Sequence, residues 1–547
     1  MNHTTPYPLY DSPKIADLRE LIAQDRERFP DVAAFAFMRD GKKAGVTYAQ
    51  VDADIRALGT CFLARGLNRA KIAVIGENSY EWILVFLAAM NTGNIAVPID
   101  RGLSPAEIRS LLDRTQPSLI AYADTLGDEQ KTVFGSTASV SLQTGLPALL
   151  EEGRAALARS DHSFDDVRLD PDALAAIIFT SGTTSLPKGV MLSHRNIATN
   201  MSAAWGNIHV EGSMMLVLPL HHTFALVAGV LAPMLNGMTV QINSGLRQVL
   251  PELAIFQPTT MCVVPLFLEN FDRQIWKTIE KSGRTRLVTF MIGVTGFLAR
   301  IGIDVRRKVF HDVLDAFGGK LSVIISGGAP IDFALINRMR AFGFMILNGY
   351  GISECSPIIA GSRNYYWRDG SAGPALYCNE VTIDNPGPDG IGEICARGTN
   401  VMLGYYEDEA ATAQVMEDGW FHTGDLGKVD DGGFVWITGR LKNLIITSNG
   451  ENVSAEELEE LVGRLPLVEE VLVYQKDGAI TAEIFPSEEA RTSMSADELA
   501  KALREAVNEL NRSQPMHKRV KEITVRDTEF EKTTSMKIKR YGGANRD

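Results

Sequence analysis

Apolar residues recur along this chain with two alternating periods. Val51, Ile55, Leu58 and Phe62 return at the spacing of one helical face, and the short run Lys71–Ile75 that follows has the length of a buried strand. Most of the chain repeats this alternation, with Gly, Pro or Asn at the joins. Further strands are predicted at Ile95–Pro98, Ala176–Phe179, Met215–Leu218, Thr239–Ile242 and Val323–Ser326. Strands alternating with helices predict an α/β fold with largely parallel sheets. Between Gly387 and Ile437 the pattern changes to short strands separated by Gly-rich turns, which predicts a small β-rich subdomain closing a large domain of βαβ layers. Beyond Gly439–Lys442 come a short strand (Leu444–Thr447), an acidic helix bearing Glu456, Glu457, Glu459 and Glu460, a strand at Val471–Tyr474 and a helix at Ala496–Leu510. Such a set suffices for a small α+β domain of about 100 residues. The expected organisation is a large N-terminal domain over residues 1–439, a junction at 440–442 and a small C-terminal domain over 443–547.

Composition narrows the function. The 547 residues are 45% hydrophobic and 22% charged, as in an ordinary soluble protein, and the net charge is −13. That charge argues against a nucleic-acid binder acting by bulk attraction, so any phosphate ligand must be held by a local site. The cysteines (Cys61, Cys262, Cys355, Cys378, Cys395) are odd in number and scattered, without a CxxC pair. This suits a reducing compartment and supplies no metal framework. Met1–Pro8 lacks the pattern of a secretion signal. The apolar stretches Trp82–Met90 and Phe224–Leu235 fall short of the roughly 18 residues of a membrane span and read as core. A cytoplasmic location without a transmembrane segment is expected.

The candidate chemistry begins at Thr180-Ser-Gly-Thr-Thr-Ser-Leu-Pro-Lys188-Gly189, between a buried strand and the strand-like Val190-Met191-Leu192. Hydroxyls on Ser181, Thr183, Thr184 and Ser185 supply donors, Gly182 and Gly189 permit unusual backbone angles, and Lys188 adds charge. A polyphosphate needs this combination, which an ordinary polar turn seldom collects. Gly189 follows the lysine where a Walker A loop has Ser or Thr, so the loop is of another kind.

This segment resembles the signature loop of the adenylate-forming superfamily, which includes acyl-CoA synthetases, luciferases and nonribosomal-peptide adenylation domains. The superfamily's other motifs follow in order over nearly the whole chain. The resemblance implies ATP contacts from Thr180, Ser181, Gly182, Thr183, Thr184 and Lys188, with Thr184 also on the metal side. Ser326-Gly-Gly-Ala-Pro330 resembles the segment along the adenine, implying Gly328, Ala329 and Pro330. Asn348-Gly-Tyr-Gly-Ile-Ser-Glu354 matches a further nucleotide motif that includes Asn348, Gly349 and Gly351. Within it Tyr350 offers a ring to adenine, Ser353 a hydroxyl to the α-phosphate and Glu354 a hard oxygen to Mg2+. Singly, Tyr350 would read as a core aromatic and Glu354 as a solvated carboxylate; the assembled motif reverses that. Asp425, in Gly419-Trp-Phe-His-Thr-Gly-Asp425, takes the position that accepts both ribose hydroxyls, and Arg440 that of the arginine near ribose and phosphate.

The resemblance also implies a C-terminal domain that rotates between two half-reactions. Lys442 takes the hinge position, and Gly450, in Ser448-Asn-Gly-Glu451, lies on the loop presented to the thiol channel. The catalytic lysine falls on Lys537, in Glu531-Lys-Thr-Thr-Ser-Met-Lys537-Ile-Lys-Arg540. Here Glu531 replaces the usual proline and Met536 the glycine beside the lysine, and Lys532 and Lys539 are neighbouring cations. Leu218-Pro-Leu-His-His-Thr-Phe224 resembles the acyl-CoA synthetase segment, with His222 as its histidine. His222 reads alternatively as a core histidine. Amino-acid-activating relatives carry an aspartate in this region and this chain does not, which disfavours an amino-acid substrate. Met214, Met215, Met234 and Met238 read as core or as an adaptable pocket wall. Asn400–Tyr406 and Asn449–Val453 also resemble long-chain acyl-CoA synthetases. The implied reaction is ATP- and Mg2+-dependent activation of a medium- or long-chain fatty acid, followed by transfer to coenzyme A. The alternatives are loading of an acyl carrier protein and a non-catalytic nucleotide sensor.

Overall fold

The computed structural model of the protein describes residues 5–180, 187–446, 452–532 and 538–540. The chain divides into two compact units. One comprises the described residues of Met1–Gly182, Leu186–Glu380 and Ala396–Gly419, the other those of Val381–Cys395 and Trp420–Asp547.

The first unit is built on two sheets. In the eight-stranded sheet the order is Ile358–Gly361, Met345–Gly351, Val323–Ser326, Thr260–Val263, Ser213–Leu216, Thr239–Ile242, Ala33–Arg39, Lys42–Thr47. Its six inner strands run parallel and each edge strand is antiparallel. The seven-stranded sheet runs Gly404–Tyr405, Lys188–Ser193, Leu174–Thr180, Ile95–Ile99, Lys71–Ile75, Leu119–Tyr122, Ser139–Ser141. It is parallel from Leu174–Thr180 onward, and its first two strands are antiparallel additions. Parallel strands covered on both faces must be apolar throughout, which is why these runs were visible in the sequence.

Helices cover both sheets. Tyr48–Ala64 starts where the Thr47 side chain accepts from the Gln50 amide, and it buries the predicted Val51, Ile55, Leu58 and Phe62. The apolar run Trp82–Met90 lies in the helix Tyr80–Asn91, in which every residue but Glu81 is buried. It is a core helix, and no helix among the described residues is long and apolar enough to cross a membrane. One expected strand is displaced. The run Met215–Leu218 pairs only over Ser213–Leu216, because the Asn78 side chain takes the Leu218 carbonyl at 2.8 Å and the Leu220 amide at 3.0 Å.

In the second unit Trp420–Val429 and Phe434–Arg440 form an antiparallel pair. The segment beyond them has a two-strand pair, Leu444–Ile446 with Asn452–Ser454, and a three-stranded sheet of Val468–Lys476, Ala479–Pro486 and Glu522–Val525. The acidic helix is Ala455–Gly463, and the longer predicted helix spans Ala496–Arg512. The latter begins with a capping box between Ser495 and Glu498 and buries Leu499, Leu503 and Val507 at helical spacing.

One buried charge stands out. Asp25 shares the inner face of the helix Leu18–Arg28 with Leu18, Leu21 and Ile22, and neither carboxylate oxygen finds a hydrogen bond among the described residues. Burial pushes its pKa from 3.8 up to about 8, with Arg28 opposing only in part. The native carboxyl therefore keeps a proton that the unfolded chain releases near pH 3.8, so stability falls as pH rises from there to about 8 and is level above. Asp25→Asn should leave the melting temperature unchanged at acid pH and raise it increasingly across this window. The gain is expected to be on the order of a few kcal/mol at its upper end; thermal melts of both proteins against pH measure it.

Candidate active site

The predicted phosphate loop is flanked by paired strands. Leu174–Thr180 and Lys188–Ser193 pair with Thr180 opposite Lys188, so the chain leaves and re-enters the sheet at one place. Ser181, Gly182, Thr183, Thr184 and Ser185 lie outside the described residues. The exit is fixed from a third segment. Tyr405 pairs with Val190, and the Tyr406 amide donates to the Gly189 carbonyl at 2.7 Å. Arg114 donates to the Pro187 carbonyl at 3.0 Å and, with its other nitrogen, to the Tyr406 carbonyl. Gly404 enters this strand at φ +140°, a conformation that a side chain would strain.

Tyr405 brings two of the predicted groups together. The Lys188 ammonium stands 4.3 Å from its ring centroid, and its hydroxyl donates to Glu354 Oε1 at 2.9 Å. Burial beside the Glu354 carboxylate drives the phenol pKa well up, so at neutral pH the hydroxyl is a donor. The Glu354 carbonyl accepts from the Met402 amide at 2.8 Å, so side chain and backbone are both anchored. Sequence reasoning gave Tyr405 no role. Its position within Asn400–Tyr406 was the available signal.

Asn348, Gly349, Tyr350 and Gly351 lie at the end of the strand Met345–Gly351, with Tyr350 opposite Ala360. A side chain at Gly351 would come within 2.0 Å of the Pro357 carbonyl, so only glycine fits there. Ser353 accepts a hydrogen bond from the Thr223 hydroxyl at 3.0 Å, tying the predicted nucleotide motif to the segment that carries His222. Phe224 reinforces the tie. Its ring tip is 3.3 Å from where a Gly327 Cβ would lie, just before Gly328, Ala329 and Pro330.

His222 precedes the short helix Thr223–Leu226, which continues through a π-helical segment, Val227–Leu231. Such segments are frequent at functional sites. Its neighbour His221, which the sequence reading passed over, lies 3.5 Å from Asp100 and 4.2 Å, ring to ring, from His222. Burial lowers the His221 pKa, with Asp100 opposing it. The four methionines Met214, Met215, Met234 and Met238 are all buried in the core.

In the second unit, Asp425 and Arg440 are cross-strand partners and Arg440 Nε reaches Asp425 Oδ1 at 2.9 Å. The turn before Asp425 is braced from Glu393, which accepts from the Gly424 amide at 2.8 Å and lies 3.0 Å from His422 Nδ1. Cys395 completes this cluster, with its sulfur 3.4 Å from the same nitrogen. Lys442 is exposed in the single turn Leu441–Asn443 between two strands. Gly450 and Lys537 lie outside the described residues. Of the neighbouring cations, Lys532 is engaged by Glu470 and by Glu529 at 3.2 Å, and Arg540 by Glu459 at 2.6 Å.

This fold, with Lys188 and Glu354 meeting on Tyr405, is that of an adenylate-forming enzyme. Residues 22–406 match the family model of AMP-binding enzymes, and residues 442–543 that of the AMP-binding enzyme C-terminal domain. The chain belongs to the AMP-binding enzyme family and is an acid–thiol ligase. It is 30% identical over 480 residues to a long-chain-fatty-acid–CoA ligase of Mycobacterium bovis, covering 81% of this chain and 77% of that one. It is 27% identical over 470 residues to the Homo sapiens long-chain-fatty-acid–CoA ligase 1, covering 78% and 67%. Its fold is similar to that of the Bacillus subtilis O-succinylbenzoate coenzyme A synthetase solved with ATP and a magnesium ion. That match has a TM-score of 0.72 and 22% identity, over 95% of this chain and 98% of that one.

The Tyr405 bridge can be tested in two steps. Tyr405→Phe keeps the ring for Lys188 and removes the donor to Glu354. It should raise the Mg2+ concentration for half-maximal pyrophosphate release about tenfold to 150-fold, the worth of one hydrogen bond to a charged group. Tyr405→Ala should in addition raise KM for ATP. Magnesium titrations of both variants read this, and an unchanged requirement in Tyr405→Phe would remove Glu354 from the metal side.

Proposed function

We propose that the protein is a fatty-acyl–coenzyme A ligase that works through an acyl-adenylate. The observation that carries this reading is the Lys188–Tyr405–Glu354 arrangement beside the loop exit. Two further features favour a fatty acid: the similarity to long-chain ligases, and the segment Leu218–Leu235, which contains no acidic residue to pair with a substrate ammonium.

In the first half-reaction the acyl carboxylate attacks the α-phosphorus of ATP, a P–O bond forms, and the bond to pyrophosphate breaks. Lys188 and the loop hydroxyls oppose the phosphate charge, Tyr350 and Gly328–Pro330 line the adenine, and Asp425 accepts from the ribose hydroxyls. Glu354 fits Mg2+, since it offers hard carboxylate oxygens, one of them oriented by Tyr405. With Thr184 it would hold the ion, which when bound spreads the charge of the phosphates. Lys537 enters for this step. In the second half-reaction a thiol attacks the mixed anhydride and AMP leaves. For that step the segment 443–547 turns about Lys442, withdrawing Lys537 and presenting Gly450 to the pantetheine.

The test is pyrophosphate release and acyl transfer with acids of graded chain length, offered coenzyme A or an acyl carrier protein. Release with long-chain acids, and acyl transfer only to coenzyme A, are expected. Transfer confined to the carrier protein would replace the acceptor, and no release with any acid would refute the reading. Lys537→Ala should slow adenylation about 100-fold to 1,000-fold, the usual cost of one charge-stabilising donor. It should leave thiolysis of supplied acyl-adenylate nearly intact. Equal loss in both half-reactions would make Lys537 structural.

A further inference from the structure

The helix Thr285–Arg300 is strongly apolar in sequence yet buries only Thr295. Leu287 is 57% exposed, Phe290 66%, Phe297 63% and Ile301, at its C-terminal cap, 58%. With the half-buried Val294 these residues follow one another at alternating steps of three and four, which on a helix is a single stripe. Thr289, Phe290, Gly293, Val294, Phe297 and Leu298 line a shallow groove along it. At Gly293 and Gly296 an added methyl would meet nothing within 4 Å. The helix touches the chain through Pro265–Lys281, Arg306–Val309 and Phe333–Ala341, and its aromatic face points outward.

Within the segment that carries the stripe the charges are of one sign. From residue 281 to 303 the charged residues are Lys281, Arg284, Arg286 and Arg300, with no aspartate or glutamate, in a chain whose net charge is −13. All four are exposed. Glu280 and Asp304 bound the segment, and Arg284 lies 4.0 Å from Asp312, both side chains being well exposed. Exposed pairs of that length contribute little and leave the basic field in place.

We propose that this helix docks the enzyme on an anionic lipid surface. Its apolar stripe would sit at the acyl boundary and its cations at the lipid phosphates. An in-plane helix needs an apolar face and basic residues beside it, and this one has both. Pairing with a second copy is the competing use of such a stripe. It would bring two predominantly basic segments together, whereas helical seams are bordered by opposite charges. Vesicle partitioning reads this docking whatever acid the enzyme activates.

The full-length protein is sedimented with vesicles of phosphatidylcholine alone and of phosphatidylcholine with phosphatidylglycerol. Binding is expected to the mixed vesicles and to weaken with salt. Phe290→Ser with Phe297→Ser should lower partitioning by roughly an order of magnitude or more. Arg284→Gln with Arg286→Gln and Arg300→Gln should do the same for the mixed vesicles alone. Both variants alter exposed positions, and melting temperature and pyrophosphate release without lipid should stay at the parent's values. Equal partitioning of parent and variants, or no binding to anionic vesicles, would overturn the proposal. So would a lipid-free dimer that the double serine variant converts to monomer, which would assign the stripe to a second copy.

Discussion

The first unit's site depends on one aromatic ring. Tyr405 presents its face to Lys188 and its hydroxyl to Glu354, so a cation and a carboxylate are positioned by different parts of a single rigid group. The two contacts differ in strength. A cation over an aromatic ring is worth about 0.5–2 kcal/mol depending on desolvation, whereas a hydrogen bond to a charged group is worth about 1.5–3 kcal/mol. Glu354 is therefore the more tightly held of the two, and Lys188 keeps freedom to follow a ligand. For a reaction in which negative charge must be spread rather than a new covalent partner supplied, a firm carboxylate and a compliant cation suit the task.

That ring is only as well placed as the backbone beneath it. Lys188–Ser193 is laddered to Leu174–Thr180 on one side and to Gly404–Tyr405 on the other, and Arg114 ties the carbonyls of Pro187 and Tyr406. Each tie satisfies backbone groups that would otherwise be stranded where a parallel sheet gives way to a loop. The same economy recurs beside the histidine pair. Asn78 caps the segment Leu218–Leu220 with its side chain, which ends the strand early and frees the backbone to turn into the histidine pair.

The parts legible in the sequence were those with local causes. Buried parallel strands announce themselves as apolar runs, and Lys71–Ile75, Thr239–Ile242 and Val323–Ser326 fall where periodicity puts them. Asp425 and Arg440 were picked out of the sequence singly, whereas their pairing comes from strand register. Tyr405 was not readable as a bridge. Its partners lie at positions 188 and 354, and no local pattern encodes a contact across such separations. Periodicity was equally silent on Thr285–Arg300, because an apolar face looks alike in sequence whether it meets a sheet or water. Only packing distinguishes the almost wholly buried Tyr80–Asn91 region from the outward-facing stripe.

The second unit applies the same reasoning to a weaker contact. Asp425 is 5% exposed and Arg440 53%, so the carboxylate is fixed by its surroundings while the guanidinium remains largely in water. The turn before Asp425 is set by Glu393 on Gly424 and by Thr423, whose hydroxyl donates to Ile394 at 2.7 Å and accepts from the Asp425 amide at 3.1 Å. An ion pair with one well-hydrated partner is worth about 1 kcal/mol or less. Arg440 can therefore leave Asp425 at small cost, while Asp425 stays where the turn holds it. Because Arg440 ends its strand and Lys442 follows in the adjoining exposed turn, a change of backbone direction there would move the guanidinium more than the carboxylate. A firm acceptor beside a loosely held cation lets the cation change partners while the acceptor keeps its place.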